Sequence, residues 1–301
     1  IKKIEITSKY LEKIKQKIKL DCSFKVVIDG GNGAAGQLAC NLFETLGCEV
    51  VQLFCKPDGR FPNHHPDPSN PENLEALKLE VHTSNADIGF AFDGDGDRLG
   101  IIDNMGNYVW PEHILMLLAE SALRDNQKSK VIFDIKSSRN LVNYISNSGG
   151  IPIITESGYT KVKEKMINSD GIIGGEFSGH FFLRDDFFNF DDAIFIASKF
   201  LELISRKKES LNFLISKLPQ SIATTEFHMQ VEEGHNHLLM RKIKEKAQFS
   251  NAKLVAIDGL RVEFEKGWGL VRASNTTPSL NFRFEADSLS ELDKIKKKFR
   301  T

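Results

Sequence analysis

Two stretches of the chain repeat one order of apolar and polar positions. In the first, the spacing of Tyr10, Leu11, Ile14 and Ile18 predicts a helix over 10–20, and a turn at Asp21 leads into the β-branched run Lys25-Val26-Val27-Ile28-Asp29. The segment 30–36 then opens a helix over 37–46, followed by a strand over 49–54, a loop rich in Pro, Asn and Asp over 55–71, and a helix to about 81. A strand over 88–92 and a hairpin of 99–102 with 108–110 complete the unit. The second stretch gives a helix over 111–123, then strand 131–135, helix 139–146, strand 151–154, helix 159–167, strand 171–175 and a short strand over 181–183. Each third strand ends in a polar cluster, where parallel α/β sheets place their ligands.

Helices over 191–205 and on to about 218 follow, and Pro219 breaks the pattern. The remainder reads as strand 222–231, helix 235–249, strands 253–257, 261–265 and 279–285, and helix 289–299, an α+β arrangement with mostly antiparallel strands. The fold expected is α/β: two similar three-layer α/β/α units with mixed sheets, then a C-terminal α+β domain, with boundaries at 1–107, 108–219 and 220–301.

Composition narrows the partners. The 301 residues carry 40 Lys+Arg against 41 Asp+Glu, a net charge of −1, which argues against a general nucleic-acid binder. The longest basic run, Lys296 to Lys298, reads as the solvated face of an amphipathic helix. No apolar stretch approaches the ~18 residues a membrane span needs, and no leader pattern opens the chain. Cys22, Cys40, Cys48 and Cys55 form no CxxC pair and are expected to be reduced and buried, as in a cytoplasmic protein. The chain opens Ile1-Lys2-Lys3 without a Met, which reads as the interior of something larger.

Asp93, Asp95 and Asp97, separated only by glycines, can turn three carboxylates toward one hard cation, and they would repel one another without it. An EF-hand is excluded, because Arg98 stands where its Gly belongs and Asn104 where its bidentate Glu is required. Open coordination positions would suit a Mg²⁺ working on phosphate, with Arg98 placed to bind a phosphate oxygen. Gly31-Asn32-Gly33-Ala34-Ala35-Gly36 matches the dinucleotide fingerprint but reads as a decoy, since the next strand ends in Cys55-Lys56 with no acid for a ribose hydroxyl. Glu176, Ser178 and His180 share one face if their segment is extended, a set suited to vicinal sugar hydroxyls with one group titrating near neutrality. Arg272, Ser274, Asn275, Thr276 and Thr277, closed by Pro278, make a cradle for a phosphate dianion. Lys136 sits just past the second unit's first strand, where a ligand lysine would be. The pairs His64-His65 and His235/His237 read as loop and cap residues.

Taken together, these clusters resemble the α-D-phosphohexomutase family, particularly its bacterial phosphomannomutase/phosphoglucomutase branch. The resemblance runs the whole length through FPNHHPDP at 61–68, DGDGDR at 93–98, GEFSGH at 175–180 and KGWGLVRASNTTP at 266–278. It implies metal-binding, sugar-binding and phosphate-binding domains in that order, matching the family's second to fourth, with a first domain, bearing a phosphoserine in a TASHNP-like segment, expected to be missing. By the same resemblance, that phosphoserine hands its phosphoryl group to a hexose phosphate, a hexose 1,6-bisphosphate turns over in the site, and the other phosphate returns. One Mg²⁺ would lie on Asp93, Asp95 and Asp97. Arg98, Lys136 and His180 would be the catalytic residues present, His180 moving the proton. Glu176 and Ser178 would grip two hydroxyls that glucose and mannose share, Gly158 and Tyr159 would lie beside them, and the residues from Arg272 to Thr277 would hold the non-reacting phosphate.

One position departs: Tyr159 follows Gly158 where the bacterial mutases place a histidine, and a phenol hardly titrates near pH 7. The expectation is a monomeric, cytoplasmic protein that binds hexose phosphate and Mg²⁺ weakly and does not turn over by itself, with no nucleic-acid or membrane partner. The alternatives are a stand-alone sugar-phosphate-binding module and a Mg²⁺-dependent sugar phosphatase using Asp93 as nucleophile. Phosphoglucosamine mutase is the relative to be excluded.

Overall fold

The structure, a computed structural model, describes residues 4–184, 190–275 and 277–300. In the first unit α1 (Thr7–Lys15) precedes β1 (Lys25–Asp29), α2 (Gly36–Thr45) and β2 (Glu49–Leu53). A 3₁₀ turn (Pro71–Leu74) runs into α3 (Glu75–Ser84), and β3 (Ile88–Phe92), β4 (Leu99–Asp103) and β5 (Tyr108–Val109) follow. The strands form one sheet in the order β2-β1-β3-β4-β5, in which the first three are parallel and β4 runs antiparallel to both its neighbours, β3 and β5. Helix α1 stops at Lys15 rather than continuing to 20, although Ile18 beyond it is still buried.

The second unit repeats the plan with α4 (Pro111–Asp125), β6 (Lys130–Asp134), α5 (Arg139–Asn147), β7 (Ile151–Thr155), α6 (Tyr159–Ser169), β8 (Gly171–Gly175) and β9 (Phe181–Leu183). Its order, β7-β6-β8-β9, is that of β2-β1-β3-β4, again parallel except for the last strand. The repeat reaches individual residues: β1 reads KVVID and β6 reads KVIFD, and Asp29 and Asp134, which end them, are both fully buried.

Tyr108 and Val109 pair with β4 and so complete the first sheet, next to the boundary expected at 107/108. The two units also share one apolar core, since Phe43, Phe90, Leu118, Phe133 and Phe200 fall in a single buried cluster. Helix α7 (Ala193–Lys207), buried over most of its surface, touches β3 and β4 of one sheet and β9 of the other.

After α8 (Leu211–Ser216) the chain forms an antiparallel sheet from β10 (Ile222–Ala223), β11 (Phe227–Gln230), β12 (Lys253–Val255), β13 (Leu260–Phe264), β14 (Gly267–Ala273) and β15 (Ser279–Ala286), with α9 (Asn236–Lys246) and α10 (Leu289–Lys298). The strand expected over 222–231 is two short ones, both pairing with β15. Strand β14, the middle of the sheet, has no strand-like signature because Gly267 and Gly269 dilute it. A Cβ on Gly267 would lie 2.2 Å from the Glu285 carbonyl oxygen and one on Gly269 2.5 Å from the Phe299 ring, so close packing demands both glycines.

Candidate functional site

Asp93 follows β3 directly and is almost wholly buried. Its Oδ1 accepts the backbone N–H groups of Gly96 (3.0 Å), Asp97 (3.0 Å) and Arg98 (3.1 Å), which bends the loop into a tight turn, and its Oδ2 accepts Arg98 Nε at 2.8 Å. Burial would raise this carboxyl, but the Arg98 guanidinium and the amides outweigh it and hold it below its usual value. Arg98 is gripped on its other edge by Asp67, whose Oδ1 accepts Nη1 at 2.7 Å.

The GNGAAG segment explains why the acidic loop can sit here. A Cβ on Gly33 would lie 2.7 Å from the Gly94 carbonyl oxygen, and the Ala34 N–H donates to that oxygen at 3.0 Å. The backbone of the acidic loop therefore fills the space that a pyrophosphate would take over a dinucleotide fingerprint. His64 braces the same corner, its Nε2 lying 3.1 Å and 3.2 Å from the two oxygens of Asp29.

Ligand oxygens of Asp93, Asp95 and Asp97 lie within 4.8 Å of one another. Burial, with the charges of Asp93 and Asp95, pushes Asp97 up to about 7 despite an opposing pull from His180. That repulsion is what a divalent cation relieves, and Asp93 Oδ2 keeps one lone pair for it, so the residues fit a Mg²⁺.

The equivalent loop of the second unit meets the acidic loop directly. Arg98 and His180 form an isolated antiparallel bridge, and the Leu99 N–H donates to the Gly179 carbonyl at 3.0 Å. His180 Nδ1 lies 2.9 Å from Asp191 Oδ2 and 3.7 Å from Asp97 Oδ2, while the half-exposed ring of Tyr159 stacks on the imidazole with centroids 5.2 Å apart. Burial would lower the imidazole pKa, but Asp191, Asp97 and Glu176 raise it overall.

Glu176 Oε1 accepts the Gly158 N–H at 3.1 Å, and Ser157 Oγ lies between it and Asp134, 3.1 Å from each. Gly158 takes φ +124 at the head of α6, a conformation that brings its amide to Glu176 and is closed to other residues without strain. Ser178 Oγ is buried beside Glu176, close enough to help keep it ionised yet outside hydrogen-bond geometry with any described residue. Lys136 Nζ is enclosed by three carboxylates, Glu226 at 3.5 Å and Asp134 and Glu176 each at 3.7 Å. Burial would depress the ammonium, but these charges raise it; Asp134, from the same burial, is pushed up to about 6.

Arg272 lies on β14 rather than in a loop, and its Nε donates to Asp258 Oδ2 at 3.0 Å. The same Asp258 oxygen accepts the Ser157 N–H at 3.1 Å, so one carboxylate joins the guanidinium to the turn before Gly158. Ser274 Oγ accepts the Thr277 N–H at 3.2 Å and lies 2.9 Å from Thr277 Oγ1, while Asn275 and Thr277 face solvent. Thr276 lies outside the described residues.

The sequence-derived residues thus gather along one path, from Asp93 through His180, Glu176 and Lys136 to Arg272. Their partners Asp67, Asp134, Asp191, Glu226 and Asp258 were not singled out from sequence. Asp134 had a usable signal, its match to Asp29; the others are single acids brought in by tertiary contact. The cysteine expectation needs correcting at Cys22, which is exposed; Cys40, Cys48 and Cys55 are buried and all four are free. No helix among the described residues is long and apolar enough to cross a membrane.

Two repeated mixed-sheet units meeting at an acidic loop, with a third sheet supplying an arginine, make up a multi-unit α/β protein in which acidic and basic side chains from all three units come together. Family models described as phosphoglucomutase/phosphomannomutase match along almost all of it: alpha/beta/alpha domain II over residues 8–106, alpha/beta/alpha domain III over 110–222 and the C-terminal domain over 229–301. The chain belongs to the phosphoglucomutase/phosphomannomutase family. It is 45% identical over 301 residues to the phosphomannomutase/phosphoglucomutase of Pseudomonas putida, and 43% over 298 residues to the phosphoglucomutase of Neisseria gonorrhoeae. These matches cover 100% and 98% of this chain, and the chain spans 65% of the length of each relative. A solved phosphoglucomutase/phosphomannomutase family protein from Burkholderia thailandensis superposes with a TM-score of 0.94 at 42% identity, over 99% of this chain and 64% of the other. An N-acetylphosphoglucosamine mutase of Aspergillus fumigatus, solved with GlcNAc-6P and magnesium, shares the fold with a TM-score of 0.68 at 14% identity, over 98% of this chain and 68% of that one.

Proposed function

We propose that these residues form the metal, sugar and phosphate parts of a phosphohexomutase that interconverts hexose 1-phosphate and hexose 6-phosphate of glucose or mannose. The observation that carries this reading is the unbroken path of contacts from the acidic loop to Arg272, which suits a ligand with a reacting phosphate at one end, hydroxyls in the middle and a second phosphate at the other.

Asp93, Asp95 and Asp97 would hold one Mg²⁺, which when bound stabilises charge on the transferring phosphoryl group. Arg98, fixed on two sides, keeps the acidic loop in shape and offers its remaining N–H groups to phosphate oxygens. His180 takes the proton from the attacking hydroxyl and returns it to the leaving oxygen in the reverse sense, oriented by Asp191. Lys136 supplies positive charge beside the sugar, Glu176 and Ser178 bind its hydroxyls next to Gly158 and Tyr159, and Arg272, Ser274, Asn275, Thr276 and Thr277 hold the non-reacting phosphate. Phosphoryl transfer from a serine, with a hexose 1,6-bisphosphate turning over in the site, calls for a phosphoserine outside these residues. The protein acts as a monomer in the cytoplasm, where its four thiols stay reduced.

A phosphatase attacking through Asp93 is disfavoured, because that carboxylate already accepts three amides and a guanidinium. A mutase assay with glucose 1-phosphate, Mg²⁺ and glucose 1,6-bisphosphate is the test: the full-length protein should turn over and the 301-residue chain should not. Robust turnover by the 301 residues would sink the need for an outside serine, and an inert full-length protein would sink the mutase reading.

A further inference from the structure

The C-terminal sheet has one apolar face, where Val262, Val271 and Phe284 pack with α9 and α10, and one charged face that is nevertheless buried. On the charged face the strand register sets Arg261, Leu270 and Arg283 in one row across β13, β14 and β15, and Glu263, Trp268 and Glu285 in the next. Arg261 and Arg283 are each only 1% exposed. Arg272 and Asn281 form a third row on this face, two residues along, so it runs on into the phosphate-binding arginine.

What this face covers is the turn that carries Lys136. Arg261 Nη1 donates to the carbonyls of both Ile135 and Ser137 at 2.6 Å. Arg283 Nη1 donates to the carbonyl of Lys136 itself, and its Nη2 to Glu112 Oε1 at 3.1 Å. Ser138 Oγ donates to Glu285 Oε1 at 2.9 Å, and Arg139 reaches the Glu265 carbonyl at 2.9 Å and the Asp287 carboxylate. Every residue from 135 to 139 is therefore held by the C-terminal sheet or the turns at its ends. The Arg283 guanidinium also lies 3.7 Å from the ring centroid of Phe177, between Glu176 and Ser178, and Arg261 lies 3.8 Å from that of Trp268.

Stability by itself gives no reason for this construction. Buried ion pairs are often matched or bettered by apolar residues of the same volume, and here Arg283 Nε and Glu285 Oε2 are left buried without hydrogen bonds among the described residues. A guanidinium, however, can take successive backbone carbonyls and stack on a ring at once, which no apolar side chain and no lysine can do.

We propose that Arg261 and Arg283 are positioning residues that make the Lys136 turn part of the C-terminal unit, so that the Lys136 ammonium and the phosphate-holding Arg272 keep a fixed separation. The proposal rests on the reading of the site as one for hexose phosphate. A sugar phosphate seated on Arg272 then meets Lys136 at a distance set by one sheet, independent of how the sheet sits against the acidic loop.

The test is steady-state kinetics of the full-length protein with glucose 1-phosphate for Arg283→Lys and Arg261→Lys, with Arg272→Lys as contrast. Hydrogen exchange over 134–140 is followed in the same samples. The positioning variants should lose about 10- to 100-fold in kcat with KM within about threefold, and exchange over 134–140 should rise, because a misplacement near 1 Å costs on this order. Arg272→Lys should instead raise KM. Ser138→Ala, a milder cut of the same tie, should give a smaller kcat loss in the same direction should either arginine variant fold poorly. Unchanged kcat per folded molecule, with only a lower melting temperature, would show a structural role and overturn the proposal. Wild-type protein without mutase turnover would bring down the functional reading instead, and the exchange measurement would still decide this one: an unaltered 134–140 segment in the variants would overturn it.

Discussion

Arg98 and His180, from corresponding loops of the two repeated units, are paired backbone to backbone in an isolated antiparallel bridge, continued by the Leu99 N–H to Gly179 carbonyl bond at 3.0 Å. Gly179 has φ +99, and a Cβ there would lie 2.9 Å from the Leu99 carbonyl oxygen. Gly179→Ala should therefore destabilise the fold by about 1–3 kcal/mol through backbone strain, and should also weaken Mg²⁺ binding by parting the loops. Thermal unfolding with and without Mg²⁺ measures both; an unshifted melting temperature would count against the bridge.

Asp191 orients His180. Asp191→Asn removes a charge that raises the imidazole pKa, so that pKa should fall, and kcat of the full-length protein should drop about tenfold or more. Proton NMR of the His180 ring follows the first effect and the mutase assay the second. A pKa that rises or stays put in the variant would contradict the assignment.

The Tyr159 ring stacks on the His180 imidazole. Tyr159→Phe should keep activity within about twofold, whereas Tyr159→Ala, which uncovers the imidazole, should lower it several-fold; stacked rings contribute about 0.5–1.5 kcal/mol. Equal loss in both variants would mean that the phenol hydroxyl matters.

His64 makes stability depend on pH. Its hydrogen bond to Asp29 raises its pKa above 6.5 against the opposing effect of burial. A raised folded-state pKa means that the stabilisation is fully present below the unfolded value of 6.5 and is lost as pH rises through the folded value. The melting-temperature gap between wild type and His64→Gln should accordingly be widest below pH 6.5 and narrow above it. A gap that widens with rising pH would reverse the sign and refute the account.

Tyr10 ties the first helix to α7, its hydroxyl lying 2.9 Å from both oxygens of Asp192, which also caps α7 through the Phe195 N–H. Tyr10→Phe should cost about 1–3 kcal/mol, since Asp192 is left buried with one partner fewer; denaturant unfolding reads it directly.

How far the sequence carries depends on how local each feature is. DGDGDR could be read because its carboxylates lie within one turn, and the two-unit plan because strand and helix periods repeat in order. Strand β14 escaped because the glycines that let it pack against β15 and α10 also remove its strand signature. Asp191, Asp258 and Glu226 escaped for another reason: each is one acid among many until the fold sets it against His180, Arg272 or Lys136. The shared core around α7 was equally invisible, since a buried helix reads alike whether it serves one unit or two.

The central claim is that residues distributed from Asp93 to Arg272 bind one hexose phosphate. Calorimetric titration of the 301-residue chain with glucose 1-phosphate in Mg²⁺ tests it most directly, with Arg272→Met as control. The account expects weak binding, with Kd on the order of 1 mM, or about −4 kcal/mol, and no measurable heat in Arg272→Met. Equal binding by the two proteins, or none by the wild type at tens of millimolar ligand, would contradict it.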